Sequence, residues 1–455
     1  MELRLTDIGN NESITLSSNL IDLEIYNYDD FPVQILPEGL LYLTIRNCVN
    51  FPLHVLPNSL IQLRIYGCTD FPLHVLPSSL VYLKLKECPN FPLHVLPNSI
   101  TKMKLHNCVN FPLHVLPNNL HTLELGYFIN FPVHILPSTL ITLKIYSCNN
   151  FPLHVLPNNL HTLKLWKCDF FTLHILPHSL RILTIEHCTD FPTHVFPDDL
   201  THLNIWNCVN FISPPFPLNL THLEVKYCTN FYPGSMLPVN LQYLNVSTNS
   251  GLLYILPPNL SYLIINECNN FPLHVLPDSL IQLYIWNCTD VPSHILPDSL
   301  IILEIYNCID FPVHILPPNL LYLSIKFCDY FLLHDLPNSL TNLTIEYCNF
   351  FPLHTLPSNL TELTILHCDD FPTHILPQSL NSLRIEDCDN FPTHTLPSNL
   401  HCLKIKYCKY FSQHILPSSL TFLELTNQTD FPIQAINHLY NLQTLIHPTI
   451  TIDEL

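Results

Sequence analysis

Hydrophobic residues recur along the chain with a period of 20, and the same apolar columns run from Leu3 and Leu5 to Leu423 and Leu425. Counted from its phenylalanine, the unit reads F-P-L-H-V-L-P-N-S-L-x-x-L-x-I-x-x-C-x-N, positions 1 to 20. Within L-x-x-L-x-I, as in Leu60-Ile61-Gln62-Leu63-Arg64-Ile65, apolar and variable residues alternate, which is the period of a strand with one buried face. Prolines at positions 2 and 7 each remove a backbone donor and fix φ, so a helix across positions 1 to 8 would be broken twice. The chain holds one alanine, Ala435, and six glycines, and the arm returning from strand to strand is expected to be extended or polyproline-like.

One such strand cannot bury its apolar face alone, and units of fixed period do so by stacking. Leu-x-Leu and Leu-x-Ile pairs give about 22 strands. Stacked at about 4.8 Å per repeat, they would form a parallel sheet on the order of 100 Å along its arc. An extra residue in FYPGSMLPVNL (231–241) is cancelled by a deletion before Leu252. No linker or composition change divides the array, which reads as a single solenoid over residues 1–435. Leu442 and Leu445 fall out of register, so residues 436–455 are expected to form a C-terminal cap.

The pattern L-x-x-L-x-I-x-x-C-x-x-F, for instance Leu280 to Val291 with valine in the last place, resembles a cysteine-type leucine-rich repeat. The LP at positions 6 and 7 is similar to the short 20-residue class of that superfamily. More closely, tandem LPNSLxxLxI…NFP units over residues 1–435 resemble the FNIP repeat family of amoebae and of the giant viruses that infect them. The expected fold class is therefore a β-rich solenoid, a leucine-rich-repeat-like parallel β-sheet with extended or polyproline-type return arms, about 22 repeats of 20 residues and little helix. In that family the repeats are protein-binding modules, often behind an N-terminal F-box that recruits a ubiquitin ligase. Repeat residues begin here at Leu3 and leave no room for an F-box, so the resemblance implies at most a recognition subunit for a ligase system supplied in trans.

Composition narrows the partners. With 455 residues the chain exceeds the about 250–300 at which single cores stop growing, a limit that repeat arrays escape. Its 17 basic and 36 acidic residues give a net charge of −19, which disfavours nucleic acid and anionic membrane. The start, MELRLTDIGNNESITLSSNL, lacks the apolar core of a signal peptide, and no stretch approaches 18 uncharged apolar residues. The expected location is cytoplasmic, in the host cytoplasm if the chain is viral. Sequons such as Asn287-Cys288-Thr289 and the tail IDEL read as chance matches without an entry signal.

Position 18 holds 17 of the 18 cysteines, Cys402 being the exception. Phe128 shares that column, so it reads as a buried stack of reduced thiols. Position 4 holds sixteen histidines, His54 to His194 and His274 to His414, each six residues after a cysteine place. That spacing is not the close pairing of zinc sites, and a column offers a line of ligands rather than three that converge, so no metal and no cofactor are expected. Stacked imidazoles would repel once protonated, so the solenoid is expected to loosen below about pH 6. Positions 1, 3, 5, 6, 10, 13 and 15 are assigned to the core.

Positions 11, 12, 14, 16 and 17 face outward on the variable strand face, expected to be concave. Sixteen of the 17 basic residues lie there, Lys409 alone elsewhere, and Trp166, Trp206 and Trp286 all occupy position 16. The candidate partner-binding residues are Arg64, Tyr66, Lys84, Lys104, Lys144, Tyr146, Lys164, Trp166, Trp206, Trp286 and Tyr306. There is no G-x-S-x-G, phosphate loop or metal-ligand spacing, so no enzyme is expected. The expected function is a non-catalytic protein–protein interaction solenoid that binds, along this face, a partner carrying an acidic stretch. The alternative is a structural or self-assembling scaffold, with an end-to-end homodimer through the exposed first strand.

Overall fold

The computed structural model describes residues 2–6, 15–28, 36–48, 56–68, 75–89, 96–108, 116–128, 136–148, 156–168, 176–189, 195–211, 215–229, 236–247, 255–268, 276–289, 296–308, 315–328, 336–348, 356–368, 375–388, 396–408, 411, 415–426 and 436–447. The whole histidine column at position 4, and with it the expected loosening at low pH, lies outside them.

Among the described residues one piece of structure recurs. Position 7 starts a tight turn whose carbonyl accepts from the amide of position 10, as Pro57 O does from Leu60 N at 3.1 Å. A five-residue strand follows over positions 12–16. The second of the two residues between, at position 9, is mostly serine or asparagine, and its side chain ties repeats together. Ser59 Oγ donates to Leu40 O at 2.7 Å, Ser79 to Leu60 at 2.8 Å and Ser379 to Leu360 at 2.6 Å, each reaching one repeat back. Where position 9 is asparagine, its amide donates instead to the carbonyl at position 8 of the previous repeat, as Asn159 does to Ser138 and Asn359 to Asn338, both at 2.9 Å.

The chain divides into two compact units, Met1–Leu220 with Tyr227–Ser235, and Thr221–Lys226 with Met236–Leu455. The first holds β1 (Glu2–Thr6), β2 (Asp22–Tyr26), β3 (Tyr42–Arg46), β4 (Gln62–Tyr66), β5 (Tyr82–Lys86), β6 (Lys102–His106), β7 (Thr122–Gly126), β8 (Thr142–Tyr146), β9 (Thr162–Trp166), β10 (Ile182–Glu186) and β11 (His202–Trp206). These pair in parallel, each with the next, in a register offset by one repeat: Leu43 lies beside Leu63 and Ile185 beside Ile205.

The second unit holds β12 (His222–Lys226), β13 (Tyr243–Ser247), β14 (Tyr262–Asn266), β15 (Gln282–Trp286), β16 (Ile302–Tyr306), β17 (Tyr322–Lys326), β18 (Asn342–Glu346), β19 (Glu362–Leu366), β20 (Ser382–Glu386), β21 (Cys402–Lys406), β22 (Phe422–Thr426) and β23 (Thr444–Ile446). They pair the same way. The register absorbs the inserted residue, since His222 lies beside Tyr243 and Tyr243 beside Tyr262. The segment expected as a cap adds a strand to the sheet, with Leu445 beside Leu423. The fold is thus a parallel β-solenoid of 20-residue repeats with 23 strands and no α-helix among the described residues.

Inward residues at positions 13 and 15 are 0–2% exposed throughout β2–β22. Full burial of such a side chain contributes roughly 1.5–3 kcal/mol. Phe211 and Phe411 at position 1 are fully buried, and position 6 is mostly so. Position 5 departs from the core assignment. Val75, Val195, Met236, Ile255, Ile315, Ile375 and Ile415 stand 64–88% exposed. Neighbouring residues of an extended segment point to opposite sides, so with the position 6 side chain turned inward, position 5 must turn out.

All eighteen cysteines are thiols, and the position 18 column is buried. There the thiol bonds a carbonyl at the end of its own strand, as Cys48 Sγ does to Arg46 O at 3.3 Å. Several also reach the preceding repeat, as Cys308 Sγ does to Ile285 O at 3.4 Å. Burial pushes the thiols of Cys148, Cys268 and Cys408 up to about 12, which keeps them protonated and poor nucleophiles.

Candidate functional site

The strand face is shaped by the residue that ends each strand. Position 17 adopts left-handed backbone from Asn27 (φ 54°) to Tyr407 (φ 54°). This turn lets its amide donate to the position 16 carbonyl of the next repeat, as Asn47 N does to Tyr66 O at 2.8 Å. Asparagine and glycine suit that conformation, whereas a bulkier L-residue gives up about 1–2 kcal/mol. With strands about 4.8 Å apart, outward side chains cover one another. Most of positions 12, 14 and 16 are consequently half-buried, and Thr44, Glu124, Thr184, Glu186, Asn245, Ser247 and Ser324 are buried outright.

In the first unit cations and rings alternate along the stack. The Arg46 guanidinium lies 5.5 Å from the Tyr26 ring and 4.1 Å from that of Tyr66, and Lys84 Nζ lies 5.1 Å from Tyr66 on the way to the next repeat. Arg64 and Lys102 approach the Tyr82 ring at 5.9 and 5.4 Å. Such contacts contribute about 0.5–1 kcal/mol each when exposed.

A second cluster spans β6–β10. Glu124 accepts from Lys104 Nζ on one oxygen at 2.6 Å and contacts His106 Nε2 on the other at 3.0 Å. Burial alone would raise its carboxyl, but the bonds to His106 and Lys104 overcome that and hold it down at about 2. His106 can lean this way because β7 carries Gly126 beside it: a Cβ there would meet His106 Nδ1 at 2.7 Å. Across that gap the rings of His106 and Tyr146 stack at 5.9 Å. Tyr146 meets Trp166 at 6.3 Å, Trp166 meets His187 edge-on at 6.0 Å, and Lys167 Nζ lies 4.5 Å from the Trp166 ring. Lys164 pairs with Glu186 at 2.7 Å.

The structure therefore splits the candidate residues. Arg64, Tyr66 and Lys84 belong to the cation–ring series, and Lys104, Tyr146, Lys164 and Trp166 to the β6–β10 cluster. Trp206 is half-buried on β11. Lys104 and Lys164 are already neutralised by carboxylates, whereas no ion pair to Lys144 occurs among the described residues. Eleven bases face six acids on the described strand face of this unit.

Trp286 and Tyr306 lie side by side on β15 and β16 in the second unit. A diagonal of rings, His222, Tyr243, Tyr262, Tyr284 and Trp286, crosses the strand face with centroids 4.7–5.9 Å apart. Burial pushes the phenols of Tyr243 and Tyr284 up to about 12. Sequence reading missed a further series at position 17. Tyr306 meets Phe327 edge-on at 5.2 Å, Phe327 stacks on Tyr347 at 4.5 Å, and Tyr347 stacks on His367 at 4.2 Å. His367 Nδ1 lies 3.1 Å from Asp387 Oδ2. The signal was present in the columns: position 17 is asparagine at Asn287 and Asn307, then turns aromatic. On this unit's face the balance reverses, with eight acids against five bases among the described residues. Nowhere among those residues do three or more histidine, cysteine or acidic side chains converge as a metal site would need.

No protein-family model and no curated protein matches the chain. Solved structures do. CroV588, described as a novel circular leucine-rich-repeat protein, is similar over 93% of this chain and 69% of its own, at 26% identity and a TM-score of 0.65. YopM from Yersinia enterocolitica is similar over 93% of this chain and 91% of its own, at 24% identity and a TM-score of 0.52. The fold is that of the leucine-rich-repeat solenoids.

Proposed function

We propose that the chain is a non-catalytic recognition solenoid that takes a protein partner on the strand face of β4–β11. One observation carries this reading: an almost unvarying scaffold bears a face whose residues change from repeat to repeat and gather nearly all the positive charge of an acidic chain. The leucine-rich-repeat fold supports it. Lys144 meets an acidic stretch of the partner, with Trp166 and Trp206 as apolar anchors; aromatic anchors of this kind dominate many interfaces. Lys104 and Lys164 hold their own carboxylates and contribute less.

The test uses the tagged full chain to capture partners from extract of its native host cell. Lys144→Glu with Trp166→Ala should lose the partner while the melting temperature holds, and retained capture would move the site to another face. Ligase subunits in the captured material would support the role implied by the FNIP resemblance, recognition for a ubiquitin ligase supplied in trans. A second reading, a self-assembling scaffold, is favoured by the exposed apolar side chains at the described position 5 residues, Ile315, Ile375 and Ile415 among them. Light scattering over a concentration series would then show mass rising in steps of the chain, and Ile315→Ser with Ile375→Ser would suppress the rise.

A further inference from the structure

The aromatic series on β16–β20 lies in the other unit from the face just assigned and carries the opposite charge. Phe327 and Tyr347 are 39% and 42% exposed, both at left-handed backbone positions (φ 53° and 49°). One and two repeats earlier the same position carries Asn307 and Asn287. Asn307 Nδ2 donates to Asn287 Oδ1 at 2.8 Å and Asn287 Nδ2 to Asn266 Oδ1 at 2.9 Å, a ladder that suits the backbone and needs no ring. The fold therefore has a well-fitting residue for this place, and the aromatics stand where it is not used.

Their surroundings point to what they meet. On the strand face of β16–β20, with the position 17 residues included, Glu304, Glu346, Glu362, Glu386 and Asp387 outnumber Lys326 and Arg384. Lys326 sits 3.7 Å from Glu346, and Arg384 3.0 Å from Glu386. Glu304, Glu362 and Asp387 remain with no lysine or arginine within ion-pair distance among the described residues. Three donors on the strand face of β15–β20 also lack acceptors among the described residues: Trp286 Nε1, the fully buried Ser324 Oγ and Arg384 Nε. Carboxylates beside partly exposed rings are the surroundings that bind guanidinium and ammonium groups, the carboxylates through ion pairs and the rings by packing the apolar stems of arginine and lysine.

We infer that Tyr306, Phe327, Tyr347 and His367, flanked by Glu304 and Asp387, form a second docking surface, for an arginine- or lysine-rich segment of a protein partner. It is distinct from the β4–β11 face and does not depend on it.

The probe is a fluorescein-labelled nonapeptide of alternating arginine and glycine, titrated by anisotropy against the full chain at physiological salt. Phe327→Asn with Tyr347→Asn extends the existing amide ladder, so its melting temperature should hold or rise while peptide affinity falls at least tenfold. Glu304→Gln with Asp387→Asn, which leaves the rings in place, should weaken binding at least threefold. Asp278→Asn with Asp298→Asn removes the same charge at turn positions away from the strand face and should change affinity less than twofold. So should Lys144→Glu with Trp166→Ala, which separates this inference from the proposed function. Absence of binding, an asparagine pair that binds within twofold of the native chain, or equal weakening by the turn control would overturn it, the last by showing bulk attraction to a chain of charge −19. Self-association lost in the asparagine pair, without peptide binding, would also overturn it.

Discussion

Glu124 shows what a single residue can decide on a face that looks merely variable. Its two oxygens serve Lys104 and His106, and Gly126 supplies the room for the histidine ring. Because its carboxyl is held down at about 2 against 4.5 unperturbed, its stabilisation is complete above about pH 4.5 and is lost as pH falls through about 2. Glu124→Gln should lower unfolding free energy by about 1–2 kcal/mol at pH 7, after discounting for solvent. In urea titrations the gap to the native chain should close between pH 4.5 and 2; a gap independent of pH would assign the effect to shape rather than charge. The sequence marked Lys104 and Lys164 as candidate contacts but not as members of pairs. The partners stand about one repeat away, at Glu124 and Glu186, and a reading along the chain passes them by. Reading down the columns, strand to strand, would have found both.

At the scale of the element, strands, turns and the thiol column were legible because each is a repeated average: apolar alternation recurs in more than twenty strands, the turn proline in twenty repeats and the column cysteine in seventeen. Two features were not. Position 5 has the letters of a core residue, yet its neighbour at position 6 takes the inward direction. The serine, threonine or asparagine two places after the turn proline looks like an ordinary turn residue, while its side chain latches most described repeats to the one before. The thiol column yields a direct check. In the native chain a chromogenic disulfide reagent should modify at most Cys402, the one cysteine that is half-buried, whereas all eighteen should react in denaturant. Rapid native modification of several thiols would mean that the column opens far more readily than its burial implies.

For the whole molecule, stability should behave as a sum over neighbours, because a repeat in a stack touches little beyond the adjacent repeats. Ser79→Ala and Ser379→Ala each remove one latch, in different units, and each should cost about 1 kcal/mol. Chemical denaturation of the double variant should give the sum of the two within about 0.5 kcal/mol. A clear excess would reveal coupling beyond nearest neighbours.

The serine and asparagine latch has one more consequence. Most described repeats reach back with a serine, threonine or asparagine side chain to a backbone carbonyl, which the preceding repeat carries whatever its side chains, so removing or duplicating a 20-residue stretch within a unit rejoins compatible surfaces. The heptad FPLHVLP occurs verbatim six times, so units of nearly the same sequence stand at many joints of the array. Copy number within a unit can thus change, lengthening or shortening the strand face while the described latches on either side keep their form.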